Sequence, residues 1–208
     1  YTLINISMEN KKVKVKDIIN PTLDPKKRLV SNKKELVKLV KLLKSSGHSV
    51  VLTQGVWDLI HDGHAKYLEK AKSFGDILIV GVDTDNLTKK RKGPTRPVVP
   101  EKERISMISH LRYVDLITVR TDKEDIGDLI RMIGPDTLVV SKSTKDFTDQ
   151  MKKEYKDFCG NIINLQPQST STTTGRIRQL TIEGAEKLGN KIKSLTDEFI
   201  KEIRNGKF

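Results

Sequence analysis

One cysteine, Cys159, among 208 residues excludes a disulfide framework within the chain and accords with a reducing compartment, the cytoplasm. Aromatic residues make up only 5%, and no ribonucleoprotein motif or stacking platform is built from them. No apolar run approaches the ~20 residues that a membrane-spanning helix needs, and no leader pattern precedes the first helix. Histidine is scarce as well: His48, His61, His64 and His110 are the whole set. With one cysteine and no carboxylate cluster, these supply no zinc-ligand spacing, so no protein-held metal is expected. Acidic residues are outnumbered 39 to 27 by Lys and Arg, leaving a net charge of +12. That charge invites a nucleic-acid reading. The lysines, however, are spread over many segments and carry no base-reading element, so anionic small molecules are the better match and no specific nucleic acid or membrane partner is expected. The chain begins at Tyr1 with its first methionine at Met8, which leaves its relation to a longer polypeptide open.

What is present is periodicity. Residues 1–31 have no sustained period, contain Pro21, Pro25 and a Lys26-Lys27-Arg28 cluster, and read as an N-terminal extension. A helix begins after Asn32, with Glu35 three residues on as a capping box, and stops at Ser45-Ser46-Gly47. Short apolar runs over 49–53, 77–82, 116–119, 137–140 and 161–165 read as strands. Helical stripes over 65–74, 101–111, 124–133 and 148–158 lie between them. Residues 83–100, punctuated by Pro94, Pro97 and Pro100, read as a basic loop. Near-continuous apolar strands alternating with amphipathic helices predict an α/β fold, a Rossmann-like doubly wound parallel sheet, over 32–180. Residues 181–208 are a helical C-terminal extension whose stripe (Ile182, Ala185, Leu188, Ile192, Leu195, Phe199, Ile203) suits core packing or a subunit contact.

His61-Asp62-Gly63-His64 stands where the first strand turns into a helix. Its two histidines, three residues apart, share one face of the first turn. Gly63 leaves room for a close approach, and a helix start presents unpaired N–H groups that hold anions. Two imidazoles beside such a nest suit a phosphate group; the competing reading, a zinc pair, lacks further ligands. Two other segments fall at carboxyl ends of strands, where ligands of doubly wound sheets bind. One is Lys89-Lys90-Arg91-Lys92-Gly93-Pro94 with Arg96, an anion clamp. The other is the hydroxyl-rich run 169–174, which opens onto a helix.

Gly55-Val56-Trp57-Asp58-Leu59-Ile60-His61-Asp62-Gly63-His64 resembles the G-x-F-D-x-x-H-x-G-H signature of the cytidylyltransferase-like nucleotidyltransferases. The resemblance continues through Val80–Asp85, Lys92-Gly93-Pro94-Thr95-Arg96-Pro97, Arg104, Val114-Asp115 and Ser171-Thr172-Thr173. The Lys-Gly-Pro-x-Arg-Pro segment is most similar to the adenylyltransferase half of the ADP-heptose synthases, which act on a heptose 1-phosphate. It implies an enzyme that joins a nucleoside triphosphate to a phosphorylated sugar or polyol and releases pyrophosphate, with no covalent enzyme intermediate. Under that resemblance His61, His64 and Lys92 are catalytic. Gly55, Val56, Trp57, Gly63, Lys89, Ser171, Thr172 and Thr173 hold the nucleotide, and Asp58, Arg96 and Lys142 face the acceptor. Mg2+ is expected on the nucleotide phosphates, and a homodimer is expected from the family.

Trp57 replaces the family's usual Phe and makes a broader wall. Cytidylyltransferases carry Arg-Thr-x-Gly-Ile-Ser-Thr-Thr, whereas Pro167-Gln168-Ser169-Thr170-Ser171-Thr172-Thr173 lacks that arginine, which favours ATP over CTP. The heptose enzymes have Lys-Gly-Gly-Asp where this chain has Val140-Ser141-Lys142-Ser143, so the acceptor pocket differs. The alternative is a CTP-dependent enzyme such as a glycerol-3-phosphate cytidylyltransferase, which Arg112-Tyr113-Val114-Asp115 also resembles. A class I aminoacyl-tRNA synthetase shares a His-x-Gly-His-type motif but needs a much longer chain.

Overall fold

All five apolar runs become strands of one parallel sheet in the computed structural model, which describes residues 18, 24–142, 147–169 and 173–205. The strands are β1 (Val50–Gly55), β2 (Ile77–Asp83), β3 (Leu116–Arg120), β4 (Thr137–Ser141) and β5 (Asn161–Leu165), in the spatial order β3-β2-β1-β4-β5. β1 therefore lies between β2 and β4, and the order reverses beside it. That crevice at the carboxyl end is where doubly wound sheets bind ligands. Both faces are covered, as a continuous apolar strand demands. Val50, Leu52, Ile77, Ile79, Leu116 and Leu138 pack on one face, and Val51, Leu78, Val80, Val82, Ile117 and Val139 on the other.

The helices α1 (Lys33–Ser45), α2 (Asp62–Lys72), α3 (Asp85–Lys92), α4 (Glu101–Ser109), α5 (Asp128–Ile133) and α6 (Asp149–Tyr155) occupy the connections. α1 starts where the capping box predicts: Asn32 Oδ1 accepts from Lys34 N at 2.9 Å and Glu35 N at 3.2 Å. α5 is shorter than its stripe and ends at Gly134, whose φ of +54° provides a left-handed stop.

One expectation needs correction. Residues 83–100 are not all loop, because α3 forms at Asp85–Lys92. Thr84 Oγ1 caps it at Leu87 N, 3.2 Å away, and only Leu87 and Thr88 are buried on it. A helix with so little apolar surface leaves no hydrophobic period to read. The end of the N-terminal extension lies on the domain. Arg28 Nη1 donates to Leu111 O (2.9 Å) and Val114 O (2.6 Å), and Val30 N donates to Ile117 O, so this stretch runs parallel along the open edge of β3.

By Cα proximity the chain divides into two units, Tyr1–Ser169 and Thr170–Phe208. Within the second, α7 (Thr173–Arg204) is one helix of 32 residues. Among the described residues no helix is long and apolar enough to cross a membrane.

Candidate active site

The histidine motif is a helix cap. His61 occupies the N-cap of α2 in an extended conformation, a position normally held by Ser, Thr, Asp or Asn. Its Nδ1 accepts from Gly63 N at 3.1 Å, while Nδ1 of His64 accepts from His61 N at 3.3 Å. This reciprocal pair copies a capping box with imidazoles in place of hydroxyl and carboxylate. The chemical consequence is a tautomer. An imidazole whose Nδ1 accepts a backbone proton carries its own proton, when neutral, on Nε2. The two rings, with centroids 4.1 Å apart, are thereby held as a pair of Nε2–H donors beside the positive end of an 11-residue helix. Such a pair is suited to phosphate oxygens.

The rings are braced from below. Trp57, 6% exposed, meets His64 edge-on at 5.7 Å between centroids and leans on Tyr67 at 5.9 Å, and its Nε1 donates to Gly81 O at 3.1 Å. Trp57 is thus a buried support under the histidine pair. Tyr67 in turn donates to Val139 O and shares a hydrogen bond with Thr53, and its burial raises the phenol pKa far above the ordinary value. Trp57 and Leu59 have φ of +59° and +46°. Left-handed backbone at two non-glycine residues costs about 1–3 kcal/mol each and concentrates at functional turns.

Gly63 is required by its neighbours. A Cβ there would lie 2.8 Å from Ser169 Cβ and 2.9 Å from His61 Cε1. The segment after β5 therefore closes directly over the motif and brings Ser169 to it. Ser171 and Thr172 lie outside the described residues. Thr173 opens α7, within the second unit.

The cations divide by helix face. Arg91 turns inward to Asp83, whereas Lys89 and Lys92, three apart, share another, exposed face of α3. Gly93, with φ of +95°, ends the helix immediately after Lys92. Lys142, exposed after β4, donates its backbone N–H to Leu165 O.

Asp58 and Arg96, expected to face the acceptor, pair with each other. Asp58 is 2% exposed and accepts from Val98 N (3.0 Å), Val99 N (2.9 Å) and Arg96 Nη2 (2.8 Å). A carboxylate in a signature that ends on a histidine pair reads as a ligand contact. Here its burial among N–H donors makes it the anchor of the loop 96–99.

Sequence reasoning also missed a buried ionic layer on the carboxyl edge. Asp83, at the end of β2, is fully buried and is the register partner of Arg120 at the end of β3. Arg120 donates from Nε (2.9 Å) and Nη2 (2.6 Å) to Asp83 Oδ1, and Arg91 takes Oδ2. Arg104, 1% exposed, donates to Val99 O (2.9 Å), Asp83 O (2.8 Å) and Val56 O, and pairs with Asp85 at 2.7 Å. One guanidinium thus ties together the loop carrying the motif, the end of β2, the start of α3 and the loop before α4. The available signal was opposite charges closing adjacent apolar strands, Asp83 after Ile77–Val82 and Arg120 after Leu116–Val119.

Comparison with known proteins bears on what this edge belongs to. The cytidylyltransferase-like family model matches residues 52–180, which contain both the histidine cap and the ionic layer. The chain belongs to that family. Among curated relatives, the bifunctional protein HldE of Sulfurimonas denitrificans is 46% identical over 105 residues, 50% of this chain and 22% of that protein. HldE of Desulfatibacillum aliphaticivorans is 35% identical over 146 residues, 70% of this chain and 29% of that protein. The chain thus spans under a third of the length of these relatives. Among solved structures, pantoate-beta-alanine ligase from Francisella tularensis superposes with a TM-score of 0.51 at 18% identity. That match covers 71% of this chain and 69% of the ligase, a likeness of fold.

Proposed function

We propose that this protein is an adenylyltransferase that transfers AMP from ATP to the phosphate of a heptose 1-phosphate or a closely similar sugar phosphate, releasing pyrophosphate. The observation that carries the reading is the reciprocal histidine cap, which sets two Nε2–H donors at a helix N-terminus on the carboxyl edge of β1. The family and the HldE relatives supply the reaction class.

In this reaction an oxygen of the acceptor's phosphate forms a bond to the α-phosphorus of ATP. The bond from that phosphorus to the α–β bridging oxygen breaks, and pyrophosphate leaves with the electron pair. The nucleophile arrives already ionised, so no side chain has to be activated. The protein's part is positioning and charge stabilisation. His61 and His64 donate to phosphate oxygens as charge shifts towards the leaving group. The N–H groups of the α2 start hold the same oxygens, and Lys89 and Lys92 neutralise the triphosphate.

Among the described residues no group of three His, Cys, Asp or Glu side chains gathers as a metal cage. The donors at the motif are N–H groups, and these suit phosphate oxygens. A magnesium ion carried by the nucleotide would add charge neutralisation. The single thiol, Cys159, is buried, and its pKa is pushed up to about 11 by desolvation; a reducing cytoplasm suits such a chain.

The test is pyrophosphate release from ATP, CTP, GTP and UTP against heptose 1-phosphate, hexose 1-phosphates and glycerol 3-phosphate. ATP with heptose 1-phosphate is expected to be the productive pair. Turnover confined to CTP with glycerol 3-phosphate would replace this reading by the cytidylyltransferase one.

A further inference from the structure

We infer that the cavity between α3 and α6, on the face of the sheet where Gln54 and Arg120 lie, seats the polyhydroxyl part of the acceptor, and that Gln54 is its specificity-determining residue. This rests on the transferase reading above for the identity of the ligand. The cavity itself follows from geometry.

Its volume is about 360 Å3, at the lower end of the ~300–1,000 Å3 typical of small-molecule sites. Lys90, Arg91 and Arg120 line it with donors, Asp122 and Glu124 with acceptors, and Ile126 with apolar surface. A triphosphate calls for cations alone, and a base calls for an aromatic or apolar sandwich. Donors and acceptors interleaved over aliphatic surface match a sugar, whose hydroxyls each give one hydrogen bond and accept others.

A second, narrower crevice shares Arg91, Arg120 and Ile126 with this cavity and reaches Gln54. Its volume is about 20 Å3, room for one water or one hydroxyl. Gln54 is held there by one end only. Its Nε2 donates to Ile126 O at 2.8 Å, which orients the amide, while its buried Oε1 has no hydrogen-bond partner among the described residues. An acceptor left in that condition costs about 1–3 kcal/mol unless something donates to it. Arg120 is poised in the complementary sense. Nε and Nη2 are fixed on Asp83, while Nη1 makes no hydrogen bond among the described residues. A hydroxyl entering the crevice can donate to Gln54 Oε1 and accept from a guanidinium. Gln54 directly precedes Gly55, the first residue of the histidine signature, so a sugar seated here lies on the same strand end as the phosphate-binding cap.

The experiment measures binding and turnover separately. Heptose 1-phosphate is titrated calorimetrically into wild type, Gln54→Leu and Met151→Trp, and ATP is titrated into the same three proteins. Met151 also lines the cavity, and tryptophan there would fill it. Both variants are expected to weaken sugar-phosphate binding about tenfold or more, with ATP affinity within about twofold of wild type. One monodeoxy analogue of the sugar should lose affinity for wild type and lose nothing further on Gln54→Leu. Unchanged sugar-phosphate affinity in both variants, equal losses of both ligands, or no binding to wild type would each overturn the assignment. The two readings fail apart. Binding that depends on Gln54 without pyrophosphate release refutes the transferase reading and leaves the pocket. Pyrophosphate release with an unaltered acceptor KM in Gln54→Leu and Met151→Trp does the reverse.

Discussion

Gly63→Ala isolates what the histidine cap does, because it adds one methyl and removes nothing. The new Cβ would sit 2.8 Å from Ser169 Cβ and 2.9 Å from His61 Cε1. Carbon pairs rest at ~3.5–4.0 Å, so close to 1 Å of displacement has to be shared between the loop after β5 and the His61 ring. Two terms oppose each other in stability. Alanine is the better helix former by about 1 kcal/mol, and overpacking costs about 1–3 kcal/mol. The melting temperature should therefore fall by less than about 8 °C. Activity should respond far more strongly. A donor moved by ~1 Å from a reacting phosphate loses about 100-fold in rate, and tilting His61 also strains the 3.1 Å bond from Gly63 N that sets its tautomer. Pyrophosphate release under saturating ATP and heptose 1-phosphate, alongside thermal unfolding, reads both quantities. Adding Ser169→Gly removes the loop contact and leaves the His61 contact, so the double variant should regain stability while kcat stays low. A Gly63→Ala protein that turns over like wild type would refute the claim that the cap geometry positions the catalytic donors.

Replacing His61 or His64 by Ala should lower kcat by at least ~100-fold, and cost only about 1 kcal/mol of stability through the lost cap; loss of ATP affinity with intact kcat would count against transition-state roles. Lys92→Ala should raise the KM for ATP more than Lys90→Ala, since Lys90 lies towards the sugar cavity and Lys92 shares the Lys89 face; equal effects in steady-state kinetics would remove that division. Asp83→Ala strips the buried Arg120 of its carboxylate and should cost about 3–5 kcal/mol in urea unfolding, whereas Asp83→Asn, which keeps an oxygen for Arg120, should cost less. Asp76 accepts from Ser49 N (2.9 Å) and Ser49 Oγ (2.7 Å), which hold its pKa below the ordinary carboxylate value. Its stabilising effect is therefore present above the unfolded value of about 4 and lost as pH falls through the folded one. Asp76→Asn should melt lower than wild type at pH 7, with the gap closing in acid.

The strands were legible because each is an apolar run bounded by polar residues, and all five apolar runs form the sheet. Caps were legible where their chemistry is common, as at Asn32. The failures share a cause. α3 is stabilised by Thr84 and by Arg91 reaching Asp83, contacts made with no hydrophobic stripe. The edge-lining role of Arg28 depends on carbonyls more than 80 residues away in the chain. In the site, His61, His64 and Gly63 could be found from spacing, since a helix start is a local event. Asp58 could be found but not interpreted, because whether a carboxylate meets a ligand or two backbone N–H groups is decided by the loop folding back on it. Gln54, Asp83 and Arg120 are brought together by strand pairing and carry no local signature.

Several of the chain's 39 Lys and Arg residues have a structural task of the same kind. A parallel sheet with short connections leaves backbone carbonyls at strand ends and helix termini that no N–H reaches, and each is costly if buried alone. This chain meets them with long cationic side chains. Arg104 donates to Val56, Asp83 and Val99, Arg28 to Leu111 and Val114, Lys33 to Val119, and Lys44 to Gly134. These cations serve the fold, and several are dispersed on the side of the sheet away from the histidine cap. At the carboxyl edge the device and the chemistry coincide. The guanidiniums that hold the ends of β2 and β3 also line the cavity beside β1, so the electrostatic field that completes the backbone's hydrogen bonding there is the one a phosphorylated sugar would meet.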